Sequence, residues 1–350
     1  MISVQGRKVL LIGGAGFIGH NLALRLKQLG AEVVLVDGLH VNNLLAFSGS
    51  GGGVGDETQE LYLDILNQRL NLLREAGIPL YVQDARDYHA LSKLWNEVEP
   101  QVVVHLAAVA HANKSNKDPY STFDHSFRTL ENALDNARKR AEHFIYFSSS
   151  MVYGHFAKGS VTEETPCEPL GIYGALKFGG EKLVIAYQQV FGLPYTIIRP
   201  SALYGERCVS RRVGQIFIEN ALKGTEITIT GDGSDRLDFT YIDDLVDGII
   251  GVMEHEEARN EIFNLTYGEA RSLADMADAV KRHFPDVHVT YVPKDRLTPD
   301  RGTLSVDKAR ERIGYAPRFP LDQGIAKYIG WYKEIMAQRS EGGKIGFIYG

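Results

Sequence analysis

Residues 7–38 read RKVLLIGGAGFIGHNLALRLKQLGAEVVLVDG, and this stretch decides the fold. The apolar run 9–12 leads into a glycine-rich turn, after which apolar residues recur with helical spacing. A second apolar run, 33–36, then ends at Asp37. These features predict a buried strand, a tight turn, a helix and a second buried strand that carries an acid at its end.

The glycines Gly13, Gly16 and Gly19 make the turn a candidate site for a dinucleotide. Residues without a side chain let the backbone turn sharply, approach a pyrophosphate and pack the helix against the strand. The helix N-terminus offers N–H groups and the positive end of its dipole to the phosphates. Asp37 can bind both hydroxyls of an adenine ribose and would repel a 2′-phosphate, so the expected cofactor is NAD rather than NADP.

Length and composition indicate an ordinary globular protein. The chain has 350 residues, which is long for one compact domain and favours two unequal lobes. It contains no apolar run of about 18 residues that could span a membrane. The first strand begins so early that no signal peptide is expected. We therefore expect a cytoplasmic protein.

Charge and cysteine content exclude several classes of function. The formal net charge is −6, from 38 Lys and Arg against 44 Asp and Glu, which disfavours nucleic acid as a partner. Cys167 and Cys208 form neither a disulfide framework nor a metal-ligand spacing, and no metal is expected. His105, His111 and His125 are interpreted as structural histidines for the same reason.

Strands and helices continue to alternate along the chain. Strands are predicted near 80–83, 102–106, 143–147 and 195–199, with helices near 88–97, 118–140 and 172–191. This pattern predicts an α/β fold, a Rossmann-type doubly wound parallel sheet with a smaller mixed α/β C-terminal lobe for the substrate. The expected divisions are an NAD-binding domain at 1–200 that about 236–256 rejoins, a substrate-binding lobe at 201–338 and a tail at 339–350.

The glycine-rich stretch at 48–55, SGSGGGVG, has two interpretations. It is either a solvated connector or a mobile flap near the adenosine or the substrate. Asp56 follows it and is typical of an N-cap, which predicts a helix from about 57 to 75. The residues expected on the buried side of that helix are Leu61, Ile65, Leu66, Leu70 and Leu73.

Tyr173 and Lys177 are a candidate pair for proton transfer. They stand four residues apart on a predicted helix, so their side chains share one face. A free tyrosine, with a pKa of about 10, is a weak base at neutral pH, but a nearby ammonium favours the phenolate. Ser149, near the end of the preceding strand, would hold the hydroxyl that the tyrosine deprotonates. Taken alone, such a pair is also common on helix surfaces.

Six segments, in order along the chain, closely resemble the NAD-dependent sugar-nucleotide epimerase/dehydratase family. They are GGAGFIG, VVVHLAA, FSSSMVYG, YGALK, IIRPSALYG and DFTYIDD. The resemblance runs from about Lys8 to Trp331. The spacing of three residues between the turn glycines is similar to that in the extended branch of the short-chain dehydrogenase/reductase superfamily.

The resemblance implies roles for individual residues. The implied catalytic residues are Ser149, Tyr173 and Lys177. The implied cofactor-binding residues are Gly13, Gly16, Phe17, Ile18, Gly19, Asp37, Asp84, Ala85, Ala107, Ala108, Tyr173, Lys177 and Pro200. The candidate substrate-binding residues are Ser149, Ser150, Arg211, Arg236 and Arg301, with Arg212 as further positive charge. Tyr153 is interpreted as a packing residue.

Three departures from the family pattern bear on the reaction. Dehydratases of the family carry Asp-Glu after the catalytic residue, whereas this chain has Ser150 and Met151, which cannot move a proton. Dehydration is therefore disfavoured. The family asparagine that touches a substrate phosphate is Ala202 here. The arginine before Asp-Phe is displaced by one residue to Arg236, and such a shift turns a side chain to the opposite face of a strand unless a bulge compensates.

These features favour an NAD-dependent nucleotide-sugar epimerase that acts at C4. Tyr173 would take the proton of a sugar hydroxyl, a hydride would pass to the nicotinamide, and the keto sugar would turn before the hydride returns. Two alternatives remain open: a net oxidoreductase, either a ketosugar reductase or a sugar-nucleotide dehydrogenase, and a non-catalytic NAD-binding protein. The family resemblance also implies a homodimer that forms through a four-helix bundle of the helices near 118–140 and 172–191.

Overall fold

The computed structural model describes residues 1–48, 55–110, 112–138, 140–156, 159–293 and 299–340. Three predicted features lie outside the described residues: 49–54 of the glycine-rich stretch, His111, and 341–350 of the tail. Among the described residues, no helix is both long enough and apolar enough to cross a membrane.

The strands are short, and the longest has six residues. They are β1 Lys8–Ile12, β2 Glu32–Asp37, β3 Leu80–Val82, β4 Val102–His105, β5 His143–Phe147, β6 Ser160–Val161, β7 Tyr195–Arg199, β8 Leu203–Tyr204, β9 Ile227–Thr230, β10 Arg236–Leu237, β11 Thr240–Tyr241, β12 Glu261–Asn264, β13 Arg271–Ser272, β14 Val289–Val292 and β15 Thr303–Leu304. The helices are α1 Phe17–Gln28, α2 Leu44–Phe47, α3 Asp56–Glu75, α4 Tyr88–Val98, α5 Ala112–Lys117, α6 Pro119–Phe123, α7 Thr129–Ala137, α8 Gly171–Phe191, α9 Val213–Leu222, α10 Ile242–Glu254, α11 Leu273–Lys281, α12 Asp307–Ile313 and α13 Leu321–Ser340.

Seven strands form one parallel sheet in the order β12-β7-β5-β4-β1-β2-β3. Strand β1 lies between β2 and the central strand β4, and its Leu10 pairs with Val34 on one side and Val103 on the other. The predicted doubly wound sheet is therefore confirmed. Because the chain continues from β1 to one side and later returns to the other, a crevice opens at the carboxyl ends of these strands.

Helices cover both faces of the sheet, as its apolar strands require. Val9 and Leu11 of β1 belong to one core, together with residues of α1, α3 and α10. Leu10 belongs to a second core on the opposite face, which α4, α7 and α8 close. The two-residue alternation along β1 thus supplies both cores from one strand.

The second lobe lies beyond the carboxyl ends of the strands and is built from two-stranded sheets with α9, α11 and α13. The pair β10–β13 is antiparallel, whereas β8–β11, β9–β14 and β6–β15 are parallel. A later segment of the chain also joins the main sheet. The main sheet takes its edge strand β12 from Glu261–Asn264, outside the stretch 236–256 that was expected to rejoin the first domain. Within that stretch, α10 packs against α1.

Two predicted helices differ in detail. The helix expected over 118–140 consists of α6, a π-helical segment at Asp124–Arg128 and α7. A π-helical turn adds a residue without any compositional signature, so periodicity could not reveal it. The short helix α5 was not predicted. Asp56 is the first residue of α3 rather than its N-cap, because Gly55 already takes the extended cap conformation.

Helix α3 joins the first domain to the second lobe. The Tyr62 hydroxyl donates to Oε2 of Glu219 on α9 at 2.8 Å. Nε of Arg69 donates to the carbonyl oxygen of Arg207 at 2.8 Å. Arg69 is 1% exposed, whereas Leu70, predicted to be buried, is only half-buried. The helix therefore turns a cation toward the interior, where the carbonyl oxygen of Arg207 accepts hydrogen bonds from its Nε and Nη2.

Candidate active site

At two positions of the turn, neighbouring backbone atoms leave no space for any residue but glycine. Gly13 has a φ of +80°, and a Cβ there would lie 2.7 Å from the amide nitrogen of Ala107. A Cβ on Gly19 would lie 2.4 Å from the carbonyl oxygen of Gly14, so α1 packs on the turn with no space for a side chain. No side chain caps α1 at Gly16. The first N–H groups of the helix therefore stay available to an anion.

A narrow cleft opens beside this turn, at the carboxyl ends of β1, β2 and β4. Ten predicted cofactor-binding residues line it: Gly13, Gly16, Phe17, Ile18, Gly19, Asp37, Asp84, Ala85, Ala107 and Ala108. They come from four separate segments of the chain. The structure thus brings together the residues that the turn motif and the family resemblance had selected.

The Asp37 carboxylate is fixed inside the narrow cleft. Its Oδ1 accepts a hydrogen bond from the N–H of Leu39 at 2.7 Å, and its Oδ2 accepts one from the N–H of Ala15 at 3.0 Å. Burial raises the pKa of Asp37, and these two hydrogen bonds oppose that rise. A fixed acceptor at one end and uncapped helix N–H groups at the other fit the ribose and pyrophosphate of NAD.

Two histidines of the narrow cleft were missed as site residues. The rings of His40 and His125 have their centroids 6.0 Å apart, and both side chains line the cleft. Burial lowers the pKa of His125, and the charge of Arg86 lowers it further. His125, which the sequence analysis interpreted as a structural histidine, belongs to the π-helical segment. His40 stands three residues after Asp37, and that position could have identified it.

Asp84, expected to meet the adenine, is itself held by Arg86. Nη2 of Arg86 lies 2.6 Å from Oδ2 of Asp84, and its Nη1 lies 2.9 Å from Oδ2 of Asp124. The hydrogen bonds from Arg86 lower the pKa of Asp84. This three-residue chain connects the end of β3 to the π-helical segment and fixes one wall of the narrow cleft.

A large cavity of about 840 Å³ adjoins the narrow cleft. The residues that line both are Ile18, Leu106, Ala108, Ala110, Leu203 and Arg212. The remaining walls come from the ends of β5 and β7, the first turns of α8, and β9, α9 and α11 of the second lobe. Its size lies in the range of roughly 300–1,000 Å³ that is typical of small-molecule sites.

The three predicted catalytic residues, Ser149, Tyr173 and Lys177, all line the large cavity, as does Pro200. Tyr173 lies in the first turn of α8, and Lys177 follows one turn later. Nζ of Lys177 donates to the carbonyl oxygen of Phe147, at the end of β5, at 2.6 Å. Burial lowers the pKa of Lys177 to about 8. The side chain is thus anchored to the sheet behind the cavity wall.

The serine cluster after β5 turns the chain along the wall of the large cavity. Oγ of Ser149 accepts a hydrogen bond from the N–H of Met151 at 3.2 Å and caps a 3₁₀ helix at Ser150–Tyr153. Ser150 also lines the cavity. Tyr153 lies instead in a small apolar core with Phe156, in agreement with its interpretation as a packing residue.

Within the described part of the chain, every charged residue that lines the large cavity is a cation: Lys177, Arg211, Arg212 and Arg301. Nη2 of Arg212 donates to the carbonyl oxygen of Ala110 at 2.6 Å, where the cavity meets the cleft. Nε of Arg301 is buried and has no hydrogen-bond partner among the described residues. Burial, together with the charge of Arg212, lowers the pKa of Arg301 to about 10. These charges suit an anionic ligand.

Arg236, the remaining candidate for the substrate, is not brought to the large cavity. Its neighbour Leu237 lines the cavity, whereas Arg236 is exposed and donates to the carbonyl oxygen of Ala270. Successive side chains of a strand point to opposite faces, and the two residues of β10 pair one to one with Ser272 and Arg271 of β13, without a bulge between them. Leu237 therefore contributes apolar surface where a cation had been considered.

Four polar residues of the large cavity were missed by the sequence analysis: Asn113 and Asn116 of α5, and Thr228 and Thr230 of β9. The two threonines alternate with buried isoleucines along β9. That alternation could have shown that they face away from the core. The asparagines belong to a helix that was itself not predicted.

Comparison with known proteins identifies relatives over almost the whole chain. The model of the family described as NAD dependent epimerase/dehydratase matches residues 9–266. A Bacillus subtilis protein with the name uncharacterized UDP-glucose epimerase is 29% identical over 334 residues, which cover 94% of this chain and 98% of its own. A dTDP-glucose 4,6-dehydratase of Xanthomonas campestris is 26% identical over 346 residues, which cover 92% of each chain.

The fold is similar to that of a solved structure with ligands. The crystal structure of UDP-glucuronic acid 4-epimerase from Bacillus cereus, in complex with UDP-glucuronic acid and NAD, aligns with a TM-score of 0.81. The two sequences are 25% identical, and the alignment covers 93% of this chain and 99% of that chain.

Proposed function

The chain belongs to the NAD dependent epimerase/dehydratase family, and on that premise we propose that it is a nucleotide-sugar epimerase that inverts C4 through a transient keto sugar. It is an NAD-dependent enzyme of the extended short-chain dehydrogenase/reductase superfamily. One observation carries the proposal. Ser149, Tyr173 and Lys177 line the large cavity, and that cavity opens into the narrow cleft that fits NAD.

The charge of the large cavity supports a nucleoside diphosphate as the carrier of the sugar. A diphosphate that is linked at both ends carries about two negative charges. Guanidinium groups bind phosphate oxygens through paired hydrogen bonds. Arg211, Arg212 and Arg301 line the cavity, and the buried Nε of Arg301 has no hydrogen-bond acceptor among the residues that the structure describes. The relatives named above act on UDP- or dTDP-linked sugars by their names.

Each catalytic residue has a separate task in this reaction. Tyr173 accepts the proton of the reacting sugar hydroxyl and later returns it, while Ser149 holds that hydroxyl by a hydrogen bond. Lys177, anchored to Phe147, places positive charge near the tyrosine oxygen and stabilises negative charge there. NAD, when bound, supplies the acceptor and then the donor of the hydride. Because proton and hydride are both returned, the net reaction is redox-neutral.

The residues after Ser149 favour epimerisation over dehydration. The family includes dehydratases, one of them among the relatives above, so family membership does not choose between the two reactions. Loss of water from a sugar needs an acid and a base near the carbons that lose the hydroxyl and the proton. Ser150 and Met151, which line the cavity next to Ser149, carry no acidic side chain.

We also propose that two copies associate through α6, α7 and α8. Tyr120 is 84% exposed and Phe123 is 44% exposed on α6, and Val190 is 71% exposed on α8. The rings of Phe123 and Phe127 stack with centroids 5.3 Å apart, which extends this apolar face. A second copy that covers it would bury these side chains in a helix bundle.

The reaction is tested with purified protein and a panel of UDP- and dTDP-linked sugars. Cofactor absorbance and sugar product are followed together. Interconversion of C4 epimers without net accumulation of reduced cofactor is the expected result. Stoichiometric reduced cofactor with a keto product would identify the net oxidoreductase instead, and NAD binding without turnover of any sugar would favour the non-catalytic alternative.

A further inference from the structure

A buried charge pair lies directly behind the catalytic wall of the large cavity. Glu181 of α8 and Arg199 at the end of β7 have side chains only 1% and 3% exposed. Nε of Arg199 donates to Oε1 of Glu181 at 2.9 Å, and Nη2 donates to Oε2 at 2.7 Å. Burial of two charges is costly even when they pair, and an apolar pair of similar volume is often as stable. Stability alone therefore does not explain the pair.

The pair is fixed by further hydrogen bonds from the surrounding segments. Oγ of Ser148 donates to Oε1 of Glu181 at 2.5 Å. Nη1 of Arg199 donates to the hydroxyl of Tyr153 at 2.9 Å, and that hydroxyl donates to Oδ1 of Asn264 at 2.8 Å. The hydrogen bonds and charge of Glu181 raise the pKa of Arg199 although burial would lower it, so the guanidinium stays charged.

Three members of this network, Ser148, Glu181 and Arg199, stand next to or one helical turn from a residue of the candidate active site. Ser148 precedes Ser149, and Arg199 precedes Pro200. Glu181 follows Lys177 by four residues on α8, which is one helical turn. The three segments that carry the catalytic wall are therefore joined to one another through a single carboxylate.

Glu181 also supplies the negative charge that faces Lys177. The other groups around the ammonium are the ring of Tyr146, whose centroid is 5.2 Å from Nζ, and the imidazole of His105. Tyr173 lies one turn before Lys177 on α8. Burial raises the pKa of Tyr146 and lowers that of His105 to about 3, so both stay neutral. Burial lowers the pKa of Lys177 to about 8, and the charge of Glu181 opposes that shift.

We propose that Glu181 is a positioning residue for the reaction: held by Arg199 and Ser148, it keeps the Lys177 ammonium charged and in place one turn from Tyr173. The structural part of this inference is independent of the substrate. Its kinetic consequence rests on the proposed function. The experiment therefore has one readout that needs no substrate and one that does.

The substrate-free readout is the titration of Lys177. Protein that carries lysine labelled with ¹³C at Cε is titrated by NMR, and Lys177→Met identifies the resonance. In Glu181→Gln the midpoint of Lys177 should fall by about one pH unit or more, the usual effect of removing a close opposite charge. An unchanged midpoint would overturn the proposal, whatever the enzyme acts on.

Glu163 offers a matched control. Its carboxylate is also buried and accepts a hydrogen bond from the N–H of Asn264 at 2.7 Å, and its carbonyl oxygen accepts one from Nη1 of Arg199 at 3.2 Å. It is not among the groups that act on the pKa of Lys177. Glu163→Gln should therefore leave the Lys177 midpoint in place. An equal shift in both variants would reveal general loosening and refute a specific role of Glu181.

Glu181→Gln leaves Arg199 buried without its counterion and can fail to fold for that reason. The double variant Glu181→Gln/Arg199→Met removes both charges and restores an apolar contact. It should fold and show a lowered Lys177 midpoint, with a smaller shift than in the single variant because the positive charge of Arg199 is removed as well. A folded double variant with the parent midpoint would overturn the proposal.

The kinetic readout is the pH profile of kcat with the nucleotide sugar that the panel identifies. Activity should fall at alkaline pH as Lys177 loses its proton, which gives the pH profile an alkaline limb. Glu181→Gln should move this limb to lower pH with little change in KM. A purely structural role would lower the melting temperature and leave the limb where it is, which would contradict the proposal. If no sugar is turned over, the proposed function fails and the titration still decides the role of Glu181.

Discussion

The Asp37 carboxylate at the end of β2 accepts a hydrogen bond from the N–H of Ala15, in the turn after β1, at 3.0 Å. The acid that we propose binds the adenosine ribose and the turn that we propose binds the pyrophosphate are thereby joined directly. A change at Asp37 therefore affects both the choice of cofactor and the shape of the turn.

Replacement of Asp37 by alanine should narrow the difference between NAD and NADP affinity. The variant loses an acceptor for the ribose hydroxyls of NAD and loses the charge that repels a 2′-phosphate. Dissociation constants for both cofactors, measured by quenching of tryptophan fluorescence, check this. The same preference in the variant and the parent would show that Asp37 does not contact the ribose.

Replacement of Tyr173 by phenylalanine should lower kcat by about 100-fold or more, because only the oxygen that moves the proton is removed. NAD affinity should change little. Tyr187→Phe is the matched control, since Tyr187 lies on the same helix α8 but not in the large cavity. Retention of most of the activity in Tyr173→Phe would assign the acid/base role to another group.

Replacement of Arg301 by leucine should raise KM for the nucleotide sugar by about tenfold, the loss of about one charge-assisted hydrogen bond to phosphate. Arg236→Leu should leave KM within about twofold, because Arg236 points away from the cavity to the carbonyl oxygen of Ala270. Steady-state kinetics on the two variants compare one cation inside the cavity with one outside it. A larger rise in KM for Arg236→Leu than for Arg301→Leu would indicate that Arg236 binds the substrate.

The proposed dimer should dissociate when charge is placed on its apolar face. Val190→Glu combined with Tyr120→Glu should give a folded monomer, and the parent should have the mass of a dimer by light scattering at micromolar concentration. Tyr291→Glu changes a residue that is 55% exposed on β14 of the second lobe, and it should keep the mass of the parent. A monomeric parent would rule out the dimer.

Asp238 should make stability depend on pH. Its side chain is fully buried and accepts hydrogen bonds from Thr266, Gly268 and Leu304. Burial raises its pKa to about 6 from the ordinary value of 3.8, and these hydrogen bonds oppose the shift. A raised carboxyl pKa favours the protonated folded state, so its contribution to stability is fully present below about pH 4 and is lost as the pH rises through about 6.

The measurement for Asp238 compares the parent with Asp238→Asn. The free energy of unfolding is measured with urea from about pH 4 to about pH 7. Over this range it should fall by up to about 3 kcal/mol more in the parent than in the variant, because a shift of one pKa unit is worth about 1.4 kcal/mol. The variant can be less stable throughout, since an amide donor replaces an acceptor. Parallel pH dependence in the two proteins would mean that Asp238 does not titrate in this range.

Local patterns were enough to predict the sheet and the narrow cleft. The apolar runs of β1 and β2 and the glycines between them are contiguous, and their chemistry permits few alternatives. The strand ends that carry Asp37, Ala107 and Ser149 then meet at one edge because parallel strands must align there. The positions of these residues followed from topology, with no need for long-range detail.

The features that were missed depend on contacts between distant parts of the chain. Arg69 is buried because the carbonyl oxygen of Arg207, 138 residues away, receives it. Nothing around Arg69 in the sequence distinguishes it from a surface cation. The face of β10 to which the Arg236 side chain points depended on whether the strand contained a bulge, and a single sequence does not reveal a bulge. The π-helical segment that carries His125 has the composition of an ordinary helix.

Helix α3 makes contacts with segments that are synthesised much later than the helix itself. Tyr62 meets Glu219 from 157 residues further on, and Asp64 pairs with Arg339 from 275 residues further on. The interior face of α3, with its cation Arg69, is thus covered fully only after Arg339 has been synthesised. Contacts between segments that are far apart in sequence form slowly, and apolar surface stays exposed until they form. The early position of α3 in the chain therefore does not allow it to complete its packing early.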